Sequence, residues 1–300
     1  MIKRLIHMGK FYYKAIRGMS RKQQLRLPAK PLSFKGRFQL NKKEKSAWLK
    51  LFGVSDIKVH VPFTYFWPLA INQVMSAINN LKINHRNVFH LHQKFTFDNT
   101  VQLDNFEKME FKTNIQDIVV YQKSRAIVML TGTLKNMQGE GVVHCSGEML
   151  IKNLKESDAN KLLHSSMYNH SDVSHFGGLR DRQAKLMGAS IQKGSIHIPE
   201  NFGIAFGKVS GDRNPVHTSS SVAKLFGYPK AFIQGMATLN FLLKFFTCDC
   251  NKQIKQIEIT FCNPIYVGQE IQINFNDKQY EVIDIRGKLT AFGTYEEESI

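Results

Sequence analysis

The 300-residue chain is short of several things that would have defined it. It has only four cysteines, Cys145, Cys248, Cys250 and Cys262. Their spacing makes no disulfide framework, and Cys248-Asp249-Cys250 is too short for the Cys-x-x-Cys of redox or zinc sites, so reduced thiols in a cytoplasmic compartment are expected. No run reaches the ~18 apolar residues of a membrane-spanning helix. A Gly-x-Ser-x-Gly elbow is missing, which removes support for serine hydrolase chemistry. The single Gly-Gly pair, Gly177-Gly178 before Leu179-Arg180, fits neither a phosphate loop nor a dinucleotide fingerprint, so no cofactor is expected. His90-x-His92 has no third ligand nearby in sequence, and His164, His170 and His175 have no ligand spacing; no metal is expected.

Acidic residues are nearly absent from the start of the chain. Residues 1–50 carry fifteen Lys/Arg against Glu44 alone, so +14 of the net charge of +17 lies there and the remainder is almost neutral. Within residues 1–25, Ile2, Leu5, Ile6, Phe11, Tyr12, Tyr13 and Ile16 interleave with Lys3, Arg4, Lys10, Lys14 and Arg17. That pattern suits a basic amphipathic helix on an anionic membrane surface, a solvated arm, or a mitochondrial presequence, and all three stay open. Specific nucleic-acid binding would need the basic and aromatic residues to continue over the remainder, where the charge is only +3, and is not expected.

What the sequence does have is a short stretch dense in chemistry: Ser210-Gly211-Asp212-Arg213-Asn214-Pro215-Val216-His217. Gly211 permits backbone conformations that other residues resist, and Pro215 fixes its own φ while holding Asn214 extended. The result is a stiff turn with a carboxylate and an imidazole five positions apart, as an acid/base site requires. The competing reading is an ordinary turn, since Gly, Asp, Asn and Pro are the commonest turn formers. After the turn, Thr218 or Ser219 can cap a short helix that Gly227 is placed to end. His217 is thus expected just ahead of a helix N-terminus. Residues 231–246 are apolar almost all round, apart from Lys244, and read as a buried helix beginning near Gly235.

These motifs, in this order and spacing, resemble the MaoC-like dehydratases, or type 2 (R-specific) enoyl-CoA hydratases, of the hot dog fold. The resemblance rests on Ser210 to His217, Phe226-Gly227, Gly235-Met236 and Phe261-Cys262-Asn263-Pro264-Ile265-Tyr266-Val267-Gly268, and covers residues 195–294. Upstream, Val61-Pro62-Phe63-Thr64-Tyr65 looks like the opening of a first, degenerate repeat. One position departs: Gln234 stands where the family usually has histidine, which leaves the N–H of Gly235 untouched.

The expected fold is therefore α+β, a tandem (double) hot dog, with antiparallel sheets each wrapped around a central helix. Its parts are a basic tail and lead-in over 1–50, a degenerate repeat over 51–155, a linker over 156–194 and a MaoC-like catalytic domain over 195–300. Helices are expected over 48–52 and 69–81. Strands are expected near 88–97, 108–122, 125–135 and 142–152, and again near 194–199, 253–262, 268–276, 279–286 and 288–295, where apolar and polar residues alternate or β-branched and aromatic residues cluster.

The resemblance implies reversible hydration of a trans-2-enoyl thioester in fatty acid metabolism, with coenzyme A or acyl-carrier protein as the handle. In it Asp212 and His217 are catalytic, Asn214 orients them and the Gly235 N–H is the oxyanion donor. Ser210, Gly211, Arg213, Gln234 and Met236 are expected at the substrate. A homodimer is left open. The rival reading is a non-catalytic acyl-thioester-binding hot dog protein with a membrane- or nucleic-acid-contacting basic tail.

Overall fold

The computed structural model describes residues 25–28, 30, 32–39, 42–54, 79–84, 87–98, 108–168 and 191–298. Residues 1–24 of the basic tail, the Val61–Tyr65 stretch and all of the expected 69–81 helix before Asn79 lie outside them.

Ten strands form one sheet among the described residues: β1 (Ser33–Gln39), β2 (Val88–Phe97), β3 (Lys108–Gln122), β4 (Arg125–Asn136), β5 (Gly141–Ile151), β6 (Gln192–Ile198), β7 (Ile254–Phe261), β8 (Gln269–Phe275), β9 (Gln279–Asp284) and β10 (Leu289–Glu297). Their order is β1-β3-β4-β5-β2-β7-β10-β9-β8-β6, and every pair is antiparallel. The first five positions come from the N-terminal half and the last five from the C-terminal half. The two meet where β2 pairs with β7, from His92 opposite Thr260 to Thr96 opposite Gln256.

Alternation explains the C-terminal strands. Ile257 and Ile259 in β7, and Ile271, Ile273 and Phe275 in β8, are all buried while Gln256, Glu258, Gln272 and Asn274 lie on the more open face. Against that inner face lies α6 (Gly235–Lys244), whose residues Met236 to Leu243 are all buried. The helix continues into a π-helical turn, Phe245–Asp249, which carries Phe246 onto Tyr295 at 4.5 Å between ring centres.

Further elements add to the expected parts. The segment Phe202–Ser210 is helix α3, and the chain ahead of residue 50 is folded: β1 extends the sheet and α1 (Lys42–Phe52) packs inward. Trp48 meets Phe206 at 5.2 Å, and Phe52 meets Phe241 at 5.2 Å, so α1 closes the core around α6. The division at residue 50 therefore falls inside a helix. The stretch read as a linker over 156–194 begins with helix α2 (Glu156–Leu163), because Ala159 and Leu162 bury against the first half. Asp158, 2% exposed, anchors α2 by accepting from the Leu25 N–H at 3.0 Å and Lys161 at 3.0 Å.

Candidate active site

The Ser210–His217 turn leaves α3 through Gly211, whose φ of 84° is the left-handed conformation that suits a helix C-cap. Three local hydrogen bonds stiffen the turn. The Ser210 hydroxyl accepts from the Asp212 N–H at 3.1 Å, Asp212 Oδ1 accepts from the Asn214 N–H at 3.3 Å, and Asn214 Oδ1 accepts from the Val216 N–H at 3.4 Å. Asn214 thereby caps a one-turn helix, α4 (Pro215–Thr218), with proline in its favoured first position. Ser219 then caps α5 (Ser220–Leu225), and Gly227 ends it with φ 84°.

His217 lies inside α4 and, as the sequence pattern expects, just ahead of the N-terminus of the next helix; what fixes it is a side-chain bond. Its Nδ1 is 2.8 Å from the Phe232 carbonyl, and the two rings sit edge to face at 4.7 Å. A carbonyl can only accept, so Nδ1 carries the proton and donates. In the neutral imidazole Nε2 then has its lone pair available. Phe232 is itself held by a β-bridge to Tyr266 and by the Tyr228 ring at 4.6 Å.

The other expected residues divide into two groups. Arg213 reaches back to the Gly207 carbonyl at 3.4 Å. Ser210 and Met236 are 2% and 0% exposed, and the Ser210 hydroxyl is engaged with the turn. Gln234 is likewise buried, its Nε2 donating to the Asp212 carbonyl at 2.9 Å and to the Gly203 carbonyl at 3.3 Å. Gly235 opens α6. The N–H groups of a first helical turn have no carbonyl one turn back, and the dipole adds positive character there, which suits a developing oxyanion. The Phe261 ring packs over Gly235, 3.1 Å from where a Cβ would stand.

Sequence reasoning missed Gly203 and Gly207. A Cβ on Gly203 would overlap the His217 carbonyl oxygen, and one on Gly207 would stand 2.8 Å from the Asp212 carbonyl oxygen. The signal was present as small residues four apart in an apolar stretch, which places both on one helix face. The histidines of β2 do not act together: a bulge lies between them, His90 bonds Gln93 at 3.2 Å, and His92 bonds Thr260 at 3.1 Å with Glu258 at 3.5 Å. Burial pushes the Cys262 thiol up to about 11 and Cys145 further, so neither is poised as a thiolate nucleophile.

Comparison with known proteins bears on the family and the fold. The MaoC like domain family model matches residues 184–298. The peroxisomal multifunctional enzyme type 2 of Mus musculus is 30% identical over 91 residues, 26% of this chain and 12% of that protein. The peroxisomal enoyl-CoA hydratase 2 of Arabidopsis thaliana is 32% identical over 68 residues, 21% of this chain and 22% of that protein. The matches thus span under a quarter of each relative. Among solved structures, HtdX of Mycobacterium tuberculosis superposes with a TM-score of 0.63 at 14% identity, covering 89% of this chain and all of that one. A second protein of that organism, described as having a double hotdog fold, gives 0.56 at 9% identity over 90% of this chain and 97% of its own. The shared fold is the double hot dog. No described helix is long and apolar enough to cross a membrane.

Proposed function

With residues 184–298 a MaoC-like domain and the whole a double hot dog, we propose that the protein is an (R)-specific enoyl-thioester hydratase. It adds water reversibly to a trans-2-enoyl thioester of coenzyme A or acyl-carrier protein, as a step of fatty acid metabolism. The curated relatives that support this reading are themselves an enoyl-CoA hydratase and a multifunctional enzyme. The observation that carries it is the His217–Phe232 hydrogen bond, which commits Nδ1 as donor and leaves the Nε2 lone pair for proton transfer.

Asp212 and His217 hold one water between them. Its oxygen bonds to the β-carbon as one of its protons passes to the pair. The π electrons of the double bond move toward the thioester oxygen and return as the α-carbon takes a proton from the pair, which ends in its starting state. Between those events charge builds on the thioester oxygen, where the Gly235 N–H at the start of α6 is the donor. Asn214 and Arg213 stabilise the turn. The chemistry calls for no cofactor beyond the handle that the substrate carries. Residues 1–25 are proposed as a contact for anionic membrane surfaces, and cytoplasmic placement follows the reading of reduced thiols.

The test is a spectrophotometric assay of purified protein with crotonyl-CoA and longer trans-2-enoyl-CoA substrates, following loss of the conjugated thioester band. Turnover yielding the (R)-3-hydroxyacyl product is expected. Tight binding without turnover would instead favour the non-catalytic acyl-thioester-binding reading.

A further inference from the structure

We infer that Gln234 is the positioning residue of this site, fixing Asp212 relative to His217 through two main-chain carbonyls. The inference rests on the acid/base reading above and names a part of it that belongs to this chain. Gln234 is 1% exposed, and its Nε2 lies 2.9 Å from the Asp212 carbonyl and 3.3 Å from that of Gly203. Both carbonyls can only accept, so chemistry settles which end of the amide is nitrogen.

Three elements converge on this side chain. It is the N-cap residue of α6, it bonds α3 at Gly203, and it bonds the acid/base turn at Asp212. Two residues earlier on the same stretch, the Phe232 carbonyl takes the His217 Nδ1 proton. Residues 232–234 therefore grip His217 by its ring and Asp212 by its main chain. The opposite side of the clamp is α3, on whose Gly203 and Gly207 the carbonyls of His217 and Asp212 lie in turn.

A glutamine suits this task better than the histidine usual at the position in the resembling family. One amide nitrogen gives both of its protons to two neighbouring carbonyls and does not titrate near neutrality. A neutral imidazole has one N–H, and the second proton of imidazolium sits on the far side of the ring. The Gln234 Oε1 is buried with no hydrogen-bond partner among the described residues. Replacement by methionine removes that desolvated acceptor along with the donors, so the stability cost is partly offset while the positional cost is not.

The experiment compares the full-length wild type with Gln234→Met and Gln234→His by hydrogen exchange of the Asp212–His217 amides and by kinetics on crotonyl-CoA. In Gln234→Met, exchange in the turn should rise about tenfold while the interior of α6 stays protected. Its kcat should fall roughly 10- to 100-fold with KM little changed and the shape of the pH–rate profile retained, as for misplacement of a catalytic group. Gln234→His should recover part of both through its single N–H. A folded Gln234→Met variant with unaltered kcat, or with unaltered exchange in the turn, would overturn the inference. A wild type inactive on every enoyl-CoA would remove the proposed function alone, and the exchange measurement would still decide the clamp.

Discussion

The main chain of Gly203 lies so close to the carbonyl oxygen of His217 that a methyl group on Gly203 would overlap it. In an ordinary helix interior, glycine to alanine gains up to ~1 kcal/mol. Here Gly203→Ala should reverse the sign, costing about 1–3 kcal/mol as an overpacked contact, because its neighbour is backbone and cannot rotate away. Since that backbone carries His217, kcat should fall with it. Denaturant midpoints and turnover of the folded variant measure the two effects separately.

Asp212→Asn and His217→Ala should each lower kcat by about 10²–10⁴ with the fold intact, the range for losing a general acid or base. Circular dichroism establishes folding and the enoyl-CoA assay gives the rate. Near-wild-type turnover in either variant would take that residue out of the mechanism.

Gly235→Pro deletes the proposed oxyanion N–H and should reduce kcat by about 10²–10³. The preceding Gln234 has ψ 143°, which a following proline tolerates. The Phe261 ring is 3.1 Å from the new Cβ, so some stability should be lost as well, and the rate is read per folded molecule. Full activity in the folded variant would mean that the thioester oxygen is stabilised elsewhere.

His90 gives a pH prediction. Burial lowers its pKa to about 4, outweighing the hydrogen bond to Gln93, which acts in the opposite direction. An unfolded histidine titrates near 6.5, so between the two values the unfolded chain binds a proton that the folded chain refuses. Its contribution to stability is therefore complete above about pH 6.5, declines as the pH falls toward 4, and levels off below that. Urea unfolding across that range should show the decline, and His90→Gln should flatten it in part. An unchanged slope in the variant would assign the acid sensitivity to other groups.

Sequence patterning locates the strands well because their signal is local. Strand β3 falls at 108–122 as expected, and β4, β5 and β7 to β10 fall within about two residues of their expected ends, since alternation and turn residues mark them directly. Helix α3 is not anticipated, because its nine residues read as the approach to the turn; Phe202 and Phe206, one helical turn apart, carry the missed period. The π-helical turn at Phe245–Asp249 has no counterpart in a pattern read at 3.6 residues per turn. At the site, the types and spacing of Asp212, Asn214, His217 and Gly235 single them out as candidates. They do not name the partners that hold them: the Phe232 carbonyl, the Gly203 and Gly207 backbone and the reach of Gln234 are main-chain relationships between segments, which side-chain identity does not encode.

The rungs between β2 and β7, from His92–Thr260 to Thr96–Gln256, make a continuous sheet from two halves of a single polypeptide. In a dimer of identical subunits each substitution is installed twice, and a symmetric seam must suit both copies of one sequence. This seam has a different sequence on each side, so either side can change alone. Dilution, which parts subunits by mass action, leaves it joined. The N-terminal half, which has no Asp-x-Asn-Pro-x-His of its own, is therefore free to change independently of the half that carries Asp212 and His217.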